Sequence, residues 1–418
     1  MAVLFSHPTG NANVRHAALG LARASLLGEF WTCVDHRPGG VGERLLPSSL
    51  RRQLSRRIFP EELWPSLHAY PYLEYGRMLS SRVGLSHLSR HEKGCLSVDA
   101  VYQSLDRRVC RRLRSSATAF SGVYAYEDGA MTTFREATRI GQPKLYDLPI
   151  GYWRAARDIL VEEGELQPAW ASTLIGNSDS PSKTARKDEE LAQADMVYVA
   201  STFTLKTLDR APAFKAKVQV IPYGAPALPQ GTTVRSAGGP DRPLRVIFVG
   251  SLGQRKGLSY LFEACRKLGP AGVELTVIGT LPLEHCPALE HELKQVRWIA
   301  SCPHAQVLAE MAAHDVFVFP SLFEGFGLVL LEAMAMGLPI IATPNTAAPD
   351  LITDGQEGFI VPIRSSEAIA EKLERLRSDR ALIDHMSQQA IARAKAFTWE
   401  NYGAELAASV SKACHEVR

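Results

Sequence analysis

The sequence predicts an α/β protein with two domains, each a doubly wound parallel sheet covered by helices on both faces. A chain of 418 residues with 46% hydrophobic and 22% charged residues is globular and too long for one ordinary core, which favours two domains of about 200 residues. Short, continuous apolar runs alternate with helical patterns, as in parallel sheets with two buried faces. This alternation occurs twice, once on each side of a stretch rich in proline and glycine.

The strands are predicted where apolar and β-branched residues form short uninterrupted runs. In the first half these runs are residues 3–6, 30–34, 123–126, 145–148, 196–200 and 218–222, and in the second half 244–249, 275–278, 316–319, 338–342 and 359–361. Helices are predicted between them, at residues 13–27, 259–267, 328–336 and 367–377. Residues 37–114 fit the pattern least and are predicted as a helical, partly irregular insertion after the second strand.

A linker is predicted at residues 225–243, where prolines and glycines are concentrated. It separates a first domain, residues 1–224, from a second domain, residues 244–400. Residues 401–418 are expected to form a helix that packs back on the first domain. Because ligands of doubly wound sheets bind beyond the carboxyl ends of the strands, two such sheets predict a binding cleft between facing domains.

The loop after the first predicted strand, residues 7–15, is polar and contains a glycine, so it is expected to face the cleft. Its candidate cleft residues are Gly10, Asn11 and Arg15. Capping of the next helix explains Asn11 about as well. Arg15 is therefore the better candidate.

Two acidic residues at the ends of interior strands of the first domain are further candidates for the cleft or the acceptor side. Glu127 follows the strand at 123–126, and Asp147 lies near the end of the strand at 145–148. Such carboxylates are within reach of a substrate in the cleft. Capping of the following turn explains Asp147 equally well.

The loop after the first strand of the second domain carries two adjacent cations. Gly250 and Ser251 begin this loop, and Arg255 and Lys256 follow in it. A basic pair in a glycine-containing loop between a strand and a helix neutralises a diphosphate by point charge and forked hydrogen bonds. The alternative interpretation is a pair of solvated cations without a ligand.

The most specific motif is Ser-Leu-Phe-Glu-Gly-Phe-Gly-Leu-Val-Leu-Leu-Glu, residues 321–332, which directly follows a predicted strand. Gly325 and Gly327 allow the backbone to approach a ligand. The helix that opens near Leu328 leaves unpaired N–H groups at its start, and such an end favours phosphate.

The same motif carries two carboxylates at different depths. Glu324 lies in the loop, and Glu332 lies about one turn into the helix, where side chains lean back toward the amino end. Carboxylates in these places accept hydrogen bonds from the hydroxyls of a sugar and a ribose. A glycine-containing turn followed by a solvated glutamate is the alternative.

Both motifs resemble those of the retaining GT-B glycosyltransferases of the family-4 type, also described as glycosyl transferases group 1. Glu324 and Glu332 occupy the two glutamate positions of the family's E-x7-E signature. The likeness is high in nearly all of the second half, in residues 250–257, 321–332, 333–343 and 355–362. It is weaker in the first half, in residues 188–201 and 221–224.

The resemblance implies a GT-B fold, with two Rossmann-like domains facing a cleft, and a set of donor-binding residues. In the family, the first glutamate and the following amides hold the donor sugar, and the second glutamate holds the ribose hydroxyls. These roles fall on Glu324, Phe326, Gly327 and Glu332. Lys256 matches the lysine of the family's diphosphate loop, but Ser251 stands where an arginine is usual, so Arg255 is expected to supply the missing cation.

The predicted catalytic residues are Glu324, Lys256 and Arg255, with the amides from Gly325 to Leu328 helping to stabilise charge on the departing diphosphate. No Asp-x-Asp sequence occurs, so the carboxylate pair that usually holds a divalent metal under a diphosphate is missing. Metal-independent transfer without a cofactor is therefore expected. Many relatives have a histidine near the reacting sugar, where this sequence has Tyr146 and Asp147.

The sequence thus predicts a retaining hexosyltransferase that moves a sugar from a nucleotide-sugar donor to a hydroxyl of a glycan or lipid-linked acceptor. Exopolysaccharide, cell-surface polysaccharide or glycolipid synthesis is the expected context. A GT-B scaffold or nucleotide-binding subunit with impaired catalysis is the alternative, suggested by Ser251 and by the absent histidine. A nicotinamide-dependent oxidoreductase is disfavoured because no G-x-G-x-x-G follows a strand.

The net charge of +3 is unevenly distributed. Residues 1–225 carry 29 Lys and Arg against 23 Asp and Glu, which leaves 18 against 21 for the remainder. Residues 50–59 place cations beside Leu and Phe, which is compatible with peripheral contact with an anionic membrane; a solvated helix face is the alternative. Nucleic acid is not expected as a partner because no aromatic platform accompanies the charge.

No apolar run reaches the roughly 18 residues that span a bilayer, and residues 1–10 show no export signal. A cytoplasmic protein, with the membrane contact at the inner face, is expected. Seven cysteines are scattered without a Cys-x-x-Cys pair. This pattern predicts free thiols and no zinc site.

Overall fold

A computed structural model describes residues 1–38, 48–55, 57–80, 82, 84–174, 179–226 and 242–416. Its strands form two sheets, and every strand pair in the described residues is parallel. The first sheet contains β1 (Val3–Ser6), β2 (Leu27–Thr32), β3 (Leu67–Ala69), β4 (Gly122–Tyr126), β5 (Lys144–Leu148), β6 (Met196–Val199) and β7 (Lys217–Val220). The second contains β8 (Leu244–Val249), β9 (Val273–Ile278), β10 (Arg297–Ile299), β11 (Val316–Phe319), β12 (Ile340–Ala342) and β13 (Gly358–Ile360).

The strand orders are β3-β2-β1-β4-β5-β6-β7 and β10-β9-β8-β11-β12-β13. In both sheets the order reverses beside the first strand in the chain, as in doubly wound folds. The two-domain, doubly wound fold class is therefore confirmed.

Helices connect the strands and cover the sheets. In the first domain they are α1 (Ala12–Arg23), α2 (Ser48–Ser55), α3 (Tyr72–Ser80), α4 (Val98–Ser115), α5 (Met131–Arg139), α6 (Trp153–Leu166), α7 (Pro181–Gln193) and α8 (Thr202–Thr207). The others are α9 (Leu258–Leu268), α10 (Pro287–Leu293), α11 (His304–Ala312), α12 (Leu328–Ala335), α13 (Ala348–Leu351), α14 (Ser366–Ser378), α15 (Arg380–Ala394) and α16 (Trp399–Glu416).

Central strands are buried along their whole length, which explains why they are uninterrupted apolar runs in the sequence. All residues of β1, β4, β5 and β11 are buried. Several helices start at a serine whose side chain accepts a hydrogen bond from the backbone N–H three residues on, namely Ser97, Ser180, Ser201 and Ser365.

Two strands were not predicted, β3 and β10, and both are three-residue strands at a sheet edge. Edge strands are partly exposed and carry little apolar pattern; Arg297 and Trp298 of β10 are both exposed. Residues 37–114 follow the second strand and contain α2, α3 and most of α4, but the edge strand β3 within them was not predicted.

The last helix, α16, packs against α1 of the first domain. The two backbones touch at a pair of glycines, because a Cβ on Gly20 would lie 2.5 Å from the Cα of Gly403. An isolated parallel bridge pairs Ala225 with Thr398 just before this helix. The predicted linker falls mainly on residues 227–241, which lie outside the described residues.

None of the helices in the described part of the chain is long and apolar enough to cross a membrane. All seven cysteines are free thiols, as predicted.

Candidate functional site

A cavity of about 430 Å³ lies between the two domains, where the carboxyl ends of β1, β8 and β11 meet. Its lining from the first domain consists of His7, Asn11, Asn13, Pro149 and Tyr223, and its lining from the second of Val249, Gly250, Lys256, Phe319, Glu324, Phe326, Gly327, Leu328, Val329 and Glu332. The second domain supplies all of the charged groups in this lining.

Glu324 and two cations form the electrostatic centre of the cavity. Lys256 Nζ contacts Glu324 Oε2, and Arg255 Nη1 lies 3.2 Å from the same oxygen. Arg255 also donates to the carbonyl oxygen of Phe323 at 2.8 Å, so its guanidinium is held in place beside the glutamate.

The charge states of this centre follow from burial and pairing. Burial opposes ionisation of Glu324, but Lys256 and Arg255 outweigh it and hold its pKa below the ordinary value. Burial lowers the pKa of Lys256, against the pull of Glu324. The carboxylate is therefore ionised at neutral pH, with positive charge beside it.

The loop that carries Glu324 is held by the first domain. Ser201 Oγ and Thr204 Oγ1, at the start of α8, donate to the carbonyl oxygen of Gly325 at 2.5 and 2.9 Å. A Cβ on Gly325 would lie 2.1 Å from the carbonyl oxygen of Pro149, so only glycine fits this interface.

The amino end of α12 faces the cavity. Gly327 precedes the helix with a φ of 83°, and no side chain caps the first N–H groups. These groups are available to an anion. Glu332, one turn into the helix, lines the same cavity, and the ring nitrogen Nε2 of His304 lies 3.0 Å from its Oε1.

His7, the first residue after β1, presents a neutral ring to the cavity. Its Nδ1 accepts from the N–H groups of Thr9 and Gly10 at 3.0 and 3.1 Å, so the ring proton lies on Nε2. Burial, with nearby Arg57, lowers the pKa of His7 to about 3. The ring is therefore a neutral hydrogen-bond donor.

The other residues predicted in this loop divide between the cavity and its support. Asn11 lines the cavity, and its side chain makes no capping hydrogen bond to α1, so capping does not explain it. Gly10 has a φ of 62° and packs on Phe59, and Arg15 donates to the carbonyl oxygen of Gly10 at 3.0 Å. Gly10 and Arg15 shape the loop without lining the cavity.

Asp147 and Glu127 do not line the cavity. Asp147 is buried in β5 and accepts from Tyr124 Oη at 2.6 Å. Burial raises its pKa to about 7. The side chain of Glu127 is 8% exposed, and its Oε2 lies 3.5 Å from Lys187 Nζ. Burial raises the pKa of Glu127 against the pull of that lysine.

Among the predicted donor residues, Gly250, Lys256, Glu324, Phe326, Gly327, Leu328 and Glu332 line the cavity. Ser251 is exposed and does not line the cavity. Arg255 does not line the cavity either, but it contacts Glu324, which does. Gly325 lies in the same loop as Glu324 without lining the cavity.

Sequence reasoning missed the roles of His7, Asn13, Pro149 and Tyr223, which all line the cavity. His7 opens the polar loop after β1, and that position was the available signal. Asn13 Nδ2 donates to Tyr223 Oη at 3.2 Å across 210 residues of sequence, a pairing that no local pattern indicates.

In the described residues, one group has the arrangement to hold a metal ion, His91, Glu92 and Asp179, and it does not line the cavity. Lys183 Nζ lies 2.8 Å from Asp179 Oδ1 and already neutralises that carboxylate.

Comparison with known proteins identifies a family for the second domain. Residues 232–393, less than half of the chain, match the family described as Glycosyl transferases group 1. The chain is 32% identical over 171 residues to a protein named putative colanic acid biosynthesis glycosyltransferase WcaL from Salmonella typhimurium. It is 32% identical over 169 residues to the amylovoran biosynthesis glycosyltransferase AmsK of Erwinia amylovora.

Both matches cover 38% of this chain and 41% of the relative, so the chain spans about two fifths of the length of these curated relatives. Solved structures match over the whole chain at low identity. Sucrose-phosphate synthase from Thermosynechococcus elongatus has a TM-score of 0.66 at 18% identity and covers 99% of this chain and 98% of its own. Anabaena Alr3699/HepE, solved in complex with UDP and glucose, has a TM-score of 0.60 at 16% identity, with coverages of 99% and 100%.

The resemblance found in the sequence is thereby confirmed. The fold is GT-B, and residues 232–393 are similar to the glycosyl transferases group 1 family.

Proposed function

We propose that this protein is a retaining, metal-independent glycosyltransferase that moves a sugar from a nucleotide-sugar donor to a hydroxyl of a glycan or lipid-linked acceptor. The observation that carries the proposal is the partly buried Glu324 with Lys256 and Arg255, set beside the amino end of α12 in a cavity between two domains. The names of the relatives favour exopolysaccharide, cell-surface polysaccharide or glycolipid synthesis as the context.

A diphosphate fits the cationic side of this cavity. Lys256 and Arg255, together with the N–H groups of Gly327 and Leu328, supply positive charge and hydrogen-bond donors where its oxygens would lie. When the cations turn to a diphosphate, the oxygens of Glu324 become free to accept sugar hydroxyls. The complexes of Anabaena HepE with UDP and UDP-glucose support a nucleotide sugar as the donor class.

The nucleoside fits the side where Glu332 lies. Its carboxylate is held by His304 and is suited to the two hydroxyls of a ribose. This assignment places the ribose one helical turn from the diphosphate, which agrees with the spacing of Glu324 and Glu332.

Transfer requires the bond between the anomeric carbon and the phosphate oxygen to break. Negative charge then develops on the departing diphosphate, where preorganised cations and amide N–H groups stabilise it. The acceptor oxygen bonds to the anomeric carbon from the same face, and its proton passes to the phosphate oxygen. No protein nucleophile is needed, because the acceptor oxygen itself bonds to the anomeric carbon on the face that the diphosphate leaves, and this route retains the anomeric configuration.

Peripheral membrane contact through the first domain is part of the proposal, but its location differs from the one expected. Leu54 and Phe59 of the segment 50–59 are buried, so these two side chains are not offered to a membrane. Tyr72 and Leu79 on α3 are 73% and 46% exposed and offer an apolar surface on the first domain. They are the residues we expect at a lipid surface.

Incubation with a panel of nucleotide sugars and an acceptor lipid or glycan extract, with released nucleoside diphosphate as the readout, tests the proposal. Proton NMR of the product should show the anomeric configuration of the donor, and addition of a chelator should leave the rate unchanged. An inverted product would exclude the retaining mechanism. Nucleotide binding without any transfer would favour the scaffold alternative, which the exposed Ser251 suggests.

Sedimentation with vesicles tests the membrane contact separately. Tyr72→Ser with Leu79→Ser should reduce binding to anionic phosphatidylglycerol vesicles several-fold. Leu283→Ser, which changes a fully exposed leucine of the second domain, is the matched control and should bind like the wild type. Equal binding by all three proteins would contradict this contact.

A further inference from the structure

A buried carboxylate at the domain interface lies outside the cavity and is not used by the proposed chemistry. Glu163, in α6 of the first domain, has a fully buried side chain. Its side-chain partners all come from the second domain: Gln254 Nε2 at 2.6 Å, Arg364 Nε at 2.7 Å and Tyr260 Oη at 3.0 Å. The Glu163 carboxylate thus accepts hydrogen bonds from three donors of the opposite domain.

Gln254 links this carboxylate to the cationic loop. It is fully buried and directly precedes Arg255 and Lys256 in the chain. Its backbone N–H donates to Thr173 Oγ1 of the first domain at 2.8 Å, and its side-chain Oε1 accepts from the N–H of Ser259 at 3.2 Å. Both its backbone and its side chain are therefore fixed by hydrogen bonds, and the side chain is held by Glu163.

Arg364 completes the arrangement. Its Nη2 donates to the carbonyl oxygen of Ile159 at 2.9 Å, and its Nη1 lies 2.7 Å from Glu162 Oε2. Its backbone has a φ of 62°, a left-handed conformation that a side-chain-bearing residue adopts at a cost. Glu162 and Glu163 therefore share one arginine, but only Glu163 also contacts Gln254.

Cohesion between the domains does not by itself require this charge, because apolar side chains of similar volume hold an interface at least as well. The carboxylate adds directionality, because its oxygens accept hydrogen bonds along fixed lines. Moving the loop would remove the Gln254 donor from a buried carboxylate oxygen.

We propose that Glu163 is a positioning residue for the diphosphate subsite. It acts through Gln254 to fix the backbone of the loop, and thereby the placement of Arg255 and Lys256 beside Glu324. The first domain then sets the geometry of a subsite whose charged groups belong entirely to the second. This inference rests on the proposed function, since it assumes that the loop receives a diphosphate.

The test compares Glu163→Gln with Glu162→Gln by calorimetry, using the nucleoside diphosphate that the wild type binds and the corresponding monophosphate. In Glu163→Gln the dissociation constant for the diphosphate should rise about tenfold or more, whereas that for the monophosphate stays within about twofold. Glu162, 59% exposed, is the matched control, and its variant should bind both nucleotides like the wild type.

Equal diphosphate affinity in the Glu162→Gln and Glu163→Gln variants would overturn the inference while leaving the proposed function intact. A parallel loss of diphosphate and monophosphate affinity in Glu163→Gln would also overturn it, because that result indicates a general defect of the interface. A wild type that binds no nucleoside diphosphate would instead refute the proposed function.

A milder variant decides the question if Glu163→Gln does not fold. Thr173→Val removes the acceptor for the Gln254 N–H and keeps the size of the side chain. It should weaken diphosphate binding about threefold, and the donor KM should rise more than kcat falls. Unchanged diphosphate binding in a folded Thr173→Val protein would count against the inference.

Discussion

The two domains contribute to the cavity in different ways, as Glu324 of the second domain and Asp147 of the first domain show. Glu324, in the second domain, lies among cations that hold its pKa below the ordinary value. Asp147, in the first domain, accepts from Tyr124, with no cation in hydrogen-bond contact among the described residues, and burial raises its pKa to about 7. Both carboxyls are acidic side chains near a strand end, yet one is a charged group of the cavity and the other a buried acid in the core.

The contrast teaches that burial alone does not make a carboxylate functional. A buried acid stays charged where the fold supplies compensating charge, and in the lining of the cavity that charge comes from the second domain. The first domain instead provides neutral groups and position: His7 and Tyr223 line the cavity, and Ser201 and Glu163 hold the loops of the other domain.

The largest effect should come from removing the carboxylate of the second domain. Glu324→Ala is expected to lower kcat/KM by about 10²–10³-fold, because a preorganised contact to the reacting sugar is lost. Asp147→Asn should stay within about fivefold of the wild type, since it keeps an acceptor for Tyr124. Steady-state kinetics with the donor that the nucleotide-sugar panel identifies measure both. Similar losses of kcat/KM in the two variants would contradict the proposal that Glu324 acts in the cavity and Asp147 does not.

The next largest losses of kcat/KM are expected from removing the two cations, and the two losses should differ in size. Lys256→Met is expected to lower kcat/KM about a hundredfold, and Arg255→Ala about tenfold, because Lys256 lines the cavity while Arg255 reaches it through Glu324. Calorimetry of nucleoside diphosphate binding gives the affinity part of each loss. Unchanged diphosphate affinity in Arg255→Ala would show that Arg255 does not replace the arginine usual at Ser251.

Asp147 and Glu324 should make the stability of the protein depend on pH in opposite directions. The pKa of Asp147 rises from 3.8 to about 7 on folding, so the native state binds the proton more tightly than the unfolded chain. Its contribution is present at low pH and is lost as the pH rises from about 4 to 7, which lowers the free energy of unfolding by a few kcal/mol over that range.

Asp147→Asn should remove this loss, so the variant gains stability relative to the wild type between pH 4 and pH 7, as measured by urea denaturation at a series of pH values. Glu324→Gln should do the reverse, because a lowered pKa contributes stability that is lost as the pH falls. A difference between Asp147→Asn and wild type that does not vary with pH would contradict the raised pKa.

The smallest effect is expected at the nucleoside end. His304 is exposed and contacts Glu332 at 3.0 Å, and exposed pairs contribute no more than about 1 kcal/mol. His304→Ala should therefore weaken nucleotide binding by at most about fivefold, with kcat unchanged. A loss as large as that of Lys256→Met would mean that His304 itself contacts the nucleotide.

The fold class follows from local patterns in the sequence, and so does the placement of most of the second-domain residues that line the cavity. Buried parallel strands are uninterrupted apolar runs, and the positions of Gly327, Leu328 and Glu332 relative to Glu324 are set within one loop and one helical turn. Such relations are local, because they depend on neighbours in the chain and on the period of the helix.

Tertiary structure alone decided the rest. Asn13 meets Tyr223, Glu163 meets Gln254 and Lys256 meets Glu324 across long stretches of sequence, and the edge strands β3 and β10 exist only because a sheet is there to pair with. The raised pKa of Asp147 could not be predicted from the sequence either, because the pKa of a carboxyl depends on the groups that surround it in space. Contacts between distant segments depend on packing and on the course of the loops, which no local pattern of residue types encodes.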